Sequence, residues 1–375
     1  MSELTGRTTV GDWLDDPHGG PLLRRIVPDA ARLDPVRSLP LEDVVALSGG
    51  SLTQDVVDDL VRSANGGRLV RGAPPVAAAT PPFRDDYTLA DIQIRDPFLL
   101  EDDGVYWLYG STDRNIWTGP GTGFDTYRSH DLHTWEGPFE AFRPPSGFWS
   151  TGMFWAPEVH AYQGRWFMFA TFTAPDGHRG TQVLAADEPA GPFTPWSAGA
   201  ITPAQWQCLD GTLHVDDAGD PWIIFCHEWT QIHDGAILAQ RLTADLRSTS
   251  GEPALLFRAS GAAWAQPVPH APNAYVTDGP YLFRLTSGQL IMLWSSFGDT
   301  GYAMGIARSA SGTVTGPWIQ EEKPLWAADG GHGMILRLRD GRLAVTLHQP
   351  NTTPNERAVI RPLTEHPTTV TLEIS

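Results

Sequence analysis

The chain has 375 residues, enough to bury a large core as one big domain or as a main domain with an appendage. Its 26 basic and 44 acidic residues leave a net charge of -18 with no basic block, which repels nucleic acid and anionic membrane surfaces and favours a neutral substrate. No stretch is apolar for long enough to span a membrane, and two cysteines, Cys208 and Cys226, make neither a disulfide framework nor a metal cluster and read as buried free thiols.

The first twenty residues, "MSELTGRTTVGDWLDDPHGG", lack a basic start followed by an apolar run, so the expectation is a cytoplasmic protein. Residues 1–71 read as a small helical N-terminal domain. "TVGDWLDDPHGGPLLRRIV" predicts two short helices broken between Pro17 and Pro21. "SLTQDVVDDLVRSANGG" predicts a longer one, with Ser51 and Gln54 as a capping box, an apolar face of Val56, Val57, Leu60 and Val61, and a stop at Gly66. Residues 72–82, "GAPPVAAATPP", have the composition of a linker.

From residue 83 to 375 the pattern changes to short strands rich in aromatic and β-branched residues, separated by Gly, Asp and Pro turns. Five segments share one plan, an ionisable residue followed by a strand, a polar turn and a second strand. They are "RDPFLLEDDGVYWLYGST", "APEVHAYQGRWFMFATF", "LDGTLHVDDAGDPWIIFCHEW", "TDGPYLFRLTSGQLIMLWSSF" and "GHGMILRLRDGRLAVTLHQP". Their leading residues are Asp96, Glu158, Asp210, Asp278 and His332, at gaps of 62, 52, 68 and 54 residues. A unit of that size holds about four short strands, the content of one propeller blade, so the prediction is an all-β five-bladed β-propeller with a small α-helical N-terminal domain. The last unit is short, and a strand from "DDYTLADIQI" is expected to close it.

Inner strands of a propeller line its channel, so the five leading residues are expected to form a ring of four carboxylic acids and one histidine at one end of the axis. Taken singly, Asp before Gly or Pro is commonly a turn residue; five at blade-like spacing are not explained that way. Crowded carboxyl groups keep one acid protonated while another stays ionised, the condition for hydrolysing a glycosidic bond.

The phrases "IRDPFLL", "WAPEVH", "LDGTLHVDDAGDPW" and "TDGPYLF" resemble the blade signatures of the family-43 glycoside hydrolases over about residues 85–362. The resemblance implies inverting hydrolysis of plant-type glycans, with Asp96 as general base and Asp210 as the carboxylate that tunes and orients the acid. Asp278 falls where the family usually has a glutamate acid, in an "EGP" phrase. Glu228, in "CHEW", ranks second for that role and Glu158, at a position where the family often has a sugar-contacting aspartate, ranks third. His332 matches a family histidine near the axis, often associated with calcium; a water-mediated contact or a polar plug is an equal reading, and no cofactor is required.

For binding a small oligosaccharide, Arg95, Glu158 and Asn273 are candidate hydroxyl partners. Trp155, Trp229 and Phe297 are candidate stacking surfaces, with Phe154, Trp206, Trp264 and Trp294 nearby, although most of the fifteen tryptophans are expected to pack between blades. His227, His233, His270 and His348 lie near strand ends without the spacing of a zinc site. The expectation is an exo-acting α-L-arabinofuranosidase. The alternatives are a β-xylosidase or exo-galactosidase, a carbohydrate-binding propeller without turnover, and a retaining propeller such as a fructosidase.

Overall fold

The computed structural model describes all residues except 1–2, 29–32, 34–35, 38, 48–51, 73–79, 269–270 and 374–375, and so leaves Ser51, His270 and most of the 72–82 segment outside the described residues. Among the described residues four helices come first: α1 (Val10–Asp15), α2 (Gly19–Ile26), α3 (Val44–Leu47) and α4 (Gln54–Ala64). The break between α1 and α2 is made by Asp16, whose carboxylate accepts the N–H groups of His18 and Gly19. Pro21 lies inside the first turn of α2, where a missing N–H costs nothing. Thr53 caps α4 by accepting the Val56 N–H, two residues later than the expected Ser51. Gly66, at φ +63°, ends it by letting the Gly67 N–H reach back to the Arg62 carbonyl. Val10, Trp13, Leu23, Val57, Leu60 and Val61 meet in one apolar core of these helices.

The remaining chain is a five-bladed β-propeller. Each blade is an antiparallel sheet. The first holds β1 (Arg84–Tyr87), β2 (Arg95–Asp102), β3 (Val105–Ser111), β4 (Phe124–Ser129) and β5 (Trp135–Phe142). The second runs from β6 (Gly152–Tyr162) and β7 (Arg165–Thr173) to β8 (Arg179–Ala186) and β9 (Thr194–Ala200). The third comprises β10 (Cys208–Val215), β11 (Pro221–His227), β12 (Ala236–Leu242) and β13 (Thr249–Arg258), with a helical turn α5 (Trp229–Ile232) after β11. The fourth is β14 (Asp278–Arg284), β15 (Leu290–Gly298), β16 (Gly301–Ser309) and β17 (Trp318–Gln320), and the fifth β18 (Gly331–Arg337), β19 (Leu343–Gln349), β20 (Arg357–Glu365) and β21 (Val370–Leu372). The inner strands β2, β6, β10, β14 and β18 touch one another in cyclic order around the axis.

One expectation is corrected here. The strand from "DDYTLADIQI" does not close the last blade: β1 pairs with β5 and pads the outer edge of the first blade, while the fifth blade is completed by its own β21. Residues Gln93 and Ile94 still meet the fifth blade, through a bridge from Gln93 to Arg357 and a hydrogen bond from the Ile94 N–H to the Glu356 carbonyl. The blades pack through apolar clusters that absorb Phe154, Trp155, Trp264 and Trp294. Cys208 and Cys226 are buried free thiols on neighbouring strands.

Candidate active site

Every inner strand carries the same irregularity near its start, where its register against the second strand shifts. At that bulge sit Asp96 (φ +55°), Ala156 (+47°), Asp210 (+55°), Gly279 (+53°) and His332 (+47°), one per blade. Left-handed backbone costs a non-glycine residue on the order of 1–2 kcal/mol, so its recurrence in four such residues marks a feature imposed by the fold. The bulge breaks the alternation of a pleated strand and re-aims the side chain.

The ring therefore differs from the one read in the sequence. Asp96, Asp210 and His332 are members of it; Glu158 lies two residues past the bulge and Asp278 one residue before it. Ala156 and Gly279 hold the other two places. A Cβ on Gly279 would stand 2.5 Å from the His332 ring, so His332 fills the space that a fourth ring side chain would need.

The three polar ring members form one network. His332 Nδ1 is 3.1 Å from Asp96 Oδ1 and 3.6 Å from Asp210 Oδ2. Ser111, at the end of β3, donates to Asp96 Oδ2 at 2.7 Å and itself accepts the Ala156 N–H. The Asp96 N–H points at His348 Nδ1 at 3.3 Å, while His348 Nε2 faces Asn351 Oδ1 at 3.1 Å, an arrangement satisfied by a neutral imidazole protonated on Nε2. Asp210 Oδ2 accepts the Gly279 N–H at 3.0 Å. Asp278 is tied in from the other side by Tyr302 of β16, whose hydroxyl donates to its Oδ2 at 2.8 Å. Asp278 alone of the three aspartates is half-buried as a residue, while Asp96 and Asp210 are buried.

Electrostatics separates the carboxyl groups. Burial would raise Asp96, but the His332 imidazolium, the Arg95 guanidinium and His348 outweigh it and hold the acid well below the usual carboxylate range. Burial pushes Asp278 up to about 6, with Asp96 adding to the rise against the opposing pull of His332, Tyr302 and Arg95. Asp210 is also raised, by burial and then by its like-charged neighbours Asp278 and Asp96. Burial disfavours the charged imidazole of His332, yet Asp96 and Asp210 more than compensate and lift it to about 10; buried His348, beside Arg95, falls to about 3. One carboxylate stays ionised beside others that hold protons, which is the division of labour an acid–base pair needs.

The other sequence candidates are distributed unevenly. Glu158 does not reach the mouth: it sits one layer down the channel, accepting from the Thr212 hydroxyl and facing His160 at 3.3 Å. Glu228 follows β11, and both its oxygens are taken by Arg179 at 2.6 Å, a buried pair whose guanidinium also lies over the Trp155 ring at 4.2 Å. Its carboxylate is committed to this buried ion pair and takes no part in the network of Asp96, Asp210 and His332. Glu228→Gln is accordingly expected to cost about 3 kcal/mol of stability by leaving Arg179 without its counter-ion, measured by denaturant unfolding, while hydrolysis of aryl glycosides stays within a few-fold of wild type. Loss of activity in a folded variant would put Glu228 in the chemistry.

Trp155 is buried against Trp117, ring centroids 5.1 Å apart, and its indole N–H donates to the Ile116 carbonyl at 2.7 Å. Trp229 and Phe297 are half-buried against Val268, Ala274 and Val276 on the rim, and Asn273 is exposed on the same loop. His227 is stacked on Trp206 and bonded to Gln231, and His233 is exposed. Arg95 is buried beside Asp96. The residues around His332 do not fit a directly ligated calcium: its Nδ1 is engaged by Asp96, and among the described residues no group of three or more His, Cys, Asp or Glu is placed to hold a metal ion. Tyr302, Ser111 and Trp117 carry no sequence signal that marks them, since each reaches the site from a second or third strand or a loop.

A separate cavity of about 570 Å³ lies at the seam between the first and fifth blades, between Tyr87, Asp113, Arg114, Asp125 and Asn355. Its buried carboxylates are already engaged, Asp113 by Thr122 and Asp125 by Arg143.

The sequence profile described as "Glycosyl hydrolases family 43" matches residues 90–369. The chain belongs to glycosyl hydrolase family 43. Among solved structures, the chain is similar to an endo-arabinase from Bacteroides thetaiotaomicron VPI-5482, 43% identical with a TM-score of 0.70, the match covering 76% of this chain and 99% of that one. An endo-1,4-beta-xylanase from the same bacterium is 24% identical with a TM-score of 0.63, covering 77% and 97% of the two chains. An alpha-L-arabinofuranosidase from Lactobacillus brevis is 20% identical with a TM-score of 0.60, covering 75% and 94%. These last two share the family-43 fold. No curated protein matches the chain. As a family-43 protein, the chain is a glycoside hydrolase and its substrate a carbohydrate.

Proposed function

We propose that the protein hydrolyses α-L-arabinofuranosyl linkages with inversion, Asp96 serving as general base, Asp278 as general acid and Asp210 as the carboxylate that positions and tunes the acid. The observation that carries the roles is the contrast between Asp96, ionised beside His332 and Arg95, and Asp278, raised to about 6 with only Oδ2 engaged, by Tyr302; Asp210 is raised further, but its Oδ2 is committed to the Gly279 N–H and His332. Asp96 takes a proton from water as the water oxygen bonds to the anomeric carbon; the glycosidic C–O bond breaks on the opposite face, and its oxygen takes the proton of Asp278. Asp210 holds the Gly279 N–H, which fixes the backbone next to Asp278.

The arabinofuranosyl preference draws on the 43% identical relative named an endo-arabinase, and that name favours internal cleavage of arabinan. An exo-acting enzyme is the alternative, and the products tell the two apart. A panel of 4-nitrophenyl α-L-arabinofuranoside, β-D-xyloside and β-D-galactoside, with debranched arabinan alongside, tests both points. Expected is release from the arabinofuranoside or from arabinan and none from the others; arabinose alone as product marks exo action, and a ladder of oligosaccharides marks endo action. Turnover of the xyloside or galactoside alone would overturn the preference, and a first product of retained anomeric form by NMR would overturn inversion.

A further inference from the structure

Glu356 is a carboxylate only 1% exposed that takes no part in the reaction as described. It lies on the loop between β19 and β20 and reaches Arg95, 261 residues earlier in the chain, with Arg95 Nη1 3.4 Å from Glu356 Oε1. The same Glu356 oxygen accepts the Thr353 hydroxyl, and Thr353 accepts the indole N–H of Trp117 at 2.9 Å. Trp117 in turn covers one side of Arg95, its ring 5.2 Å from the guanidinium carbon, while the Tyr302 ring stands 5.8 Å away. Arg95 Nε is 3.5 Å from Asp96 Oδ1, and Tyr302 donates to Asp278. One buried cation is thus held by two loops and touches the surroundings of both reacting carboxyl groups.

We propose that Arg95 is a positioning residue for both halves of the reaction, clamped by Glu356, Trp117 and Tyr302 so that a single fixed cation serves the base and the acid together. The proposal rests on the roles given above to Asp96 and Asp278. Arg95 reaches Glu356 through Nη1 alone and turns its Nε toward Asp96, so the charge it carries is fixed beside the base whether or not Nη2 also meets a sugar hydroxyl. Asp278 is faced by Tyr302, Arg95, Asp96, His332, Asp210 and the Cys226 thiol; Asp96 is faced by His332, His348, Arg95, Asp210, Asp278 and Tyr302. Of these neighbours only Arg95 is a cation at every accessible pH. Its removal therefore raises the affinity of both carboxyl groups for protons, whereas a purely structural arginine would change the rate and leave both titrations in place.

The test is the double variant Arg95→Met/Glu356→Gln, which removes cation and counter-ion together and leaves no orphaned buried charge. The alkaline limb of kcat/KM on arabinan is expected to move upward by less than about one pH unit, because the loss of the Arg95 charge is offset in part by the loss of the Glu356 charge behind it. Arg95→Lys, which keeps the charge and loses the fork, is expected to leave that limb in place and lower kcat. Carbon-13 NMR of Cγ-labelled aspartate follows Asp96 and Asp278 directly in the same proteins and needs no turnover. Unmoved aspartate titrations in the folded double variant overturn the proposal. A wild-type enzyme silent on arabinan would instead count against the substrate assignment, with the NMR result still deciding the role of Arg95.

Discussion

Replacing Asp96 with Asn is expected to reduce turnover by ~10³-fold while the propeller stays folded, because the substitution removes the base and little else. The backbone at Asp96 is left-handed at φ +55°, a region that Asn tolerates as well as Asp does, so the variant adds no backbone strain; Ala there would. Ser111 can accept from the new amide as well as donate to its oxygen, and His332 keeps Asp210 at 3.6 Å as its remaining carboxyl partner. The proton that Asp96 would have taken from water has no other acceptor so placed: Glu158 is a layer deeper, and Asp210 is raised by burial and engaged by Gly279. The check is kcat on the responsive substrate together with circular dichroism and a thermal melt. Activity near wild type in a folded protein would remove Asp96 from the base role.

The architecture was legible because a blade is a local object. Each inner hairpin announces itself by a short strand, a polar turn and a second strand, and five such units at blade-sized intervals admit few other folds. The ring was read with two errors, and both come from aligning the repeats on charge. The residue that lines the mouth in each blade precedes Pro or Gly: Asp96 before Pro97, Ala156 before Pro157, Asp210 before Gly211, Gly279 before Pro280 and His332 before Gly333; in the fourth blade Asp278, before Gly279, meets the same rule, and only the positive φ of Gly279 separates the two. That signal stands in the sequence and reflects the bulge itself, which has little room for a pleated neighbour on either side. Aligned on it, Glu158 falls into the deeper layer with Phe98, Thr212 and Tyr281, and Asp278 falls beside the ring.

What the sequence withholds is whatever depends on distant parts of the chain. Glu228 next to Trp229 looks like a mouth residue until Arg179, 49 residues earlier, is seen to occupy both its oxygens. Arg95 reads as a sugar ligand, and nothing in the sequence beside it announces Glu356 and Trp117, which close around it. Tyr302 has no motif of its own, yet it fixes one oxygen of Asp278. In each case the deciding partner lies on another strand or blade, and propensity and spacing say nothing about such pairs.

Asp278→Asn is the second large effect, and its pattern across substrates is more telling than its size. Arabinan leaves as a poor alkoxide and needs the proton, so its hydrolysis is expected to slow by ~10³-fold, while a 4-nitrophenyl glycoside, whose leaving group departs as an anion, loses less than about tenfold. The pH dependence has a definite sign. A general acid must carry its proton, and Asp278 is raised to about 6, so wild-type kcat/KM on arabinan is full below that pH and falls as pH rises through it; the acid limb lies far lower because Asp96 is held well below the usual range. In the Asn variant the alkaline limb disappears from the residual aryl glycosidase activity. Asp278→Glu keeps the acid but advances its carboxyl by on the order of 1.5 Å, the length of one added bond, into the place where Tyr302 now donates. It is expected to retain the leaving-group pattern of the wild type at reduced rate, since acid transfer tolerates little displacement. If Asn slows both substrates alike, the proton comes from another group, and the oxygen that Tyr302 holds on Asp278 is there for binding and not for transfer.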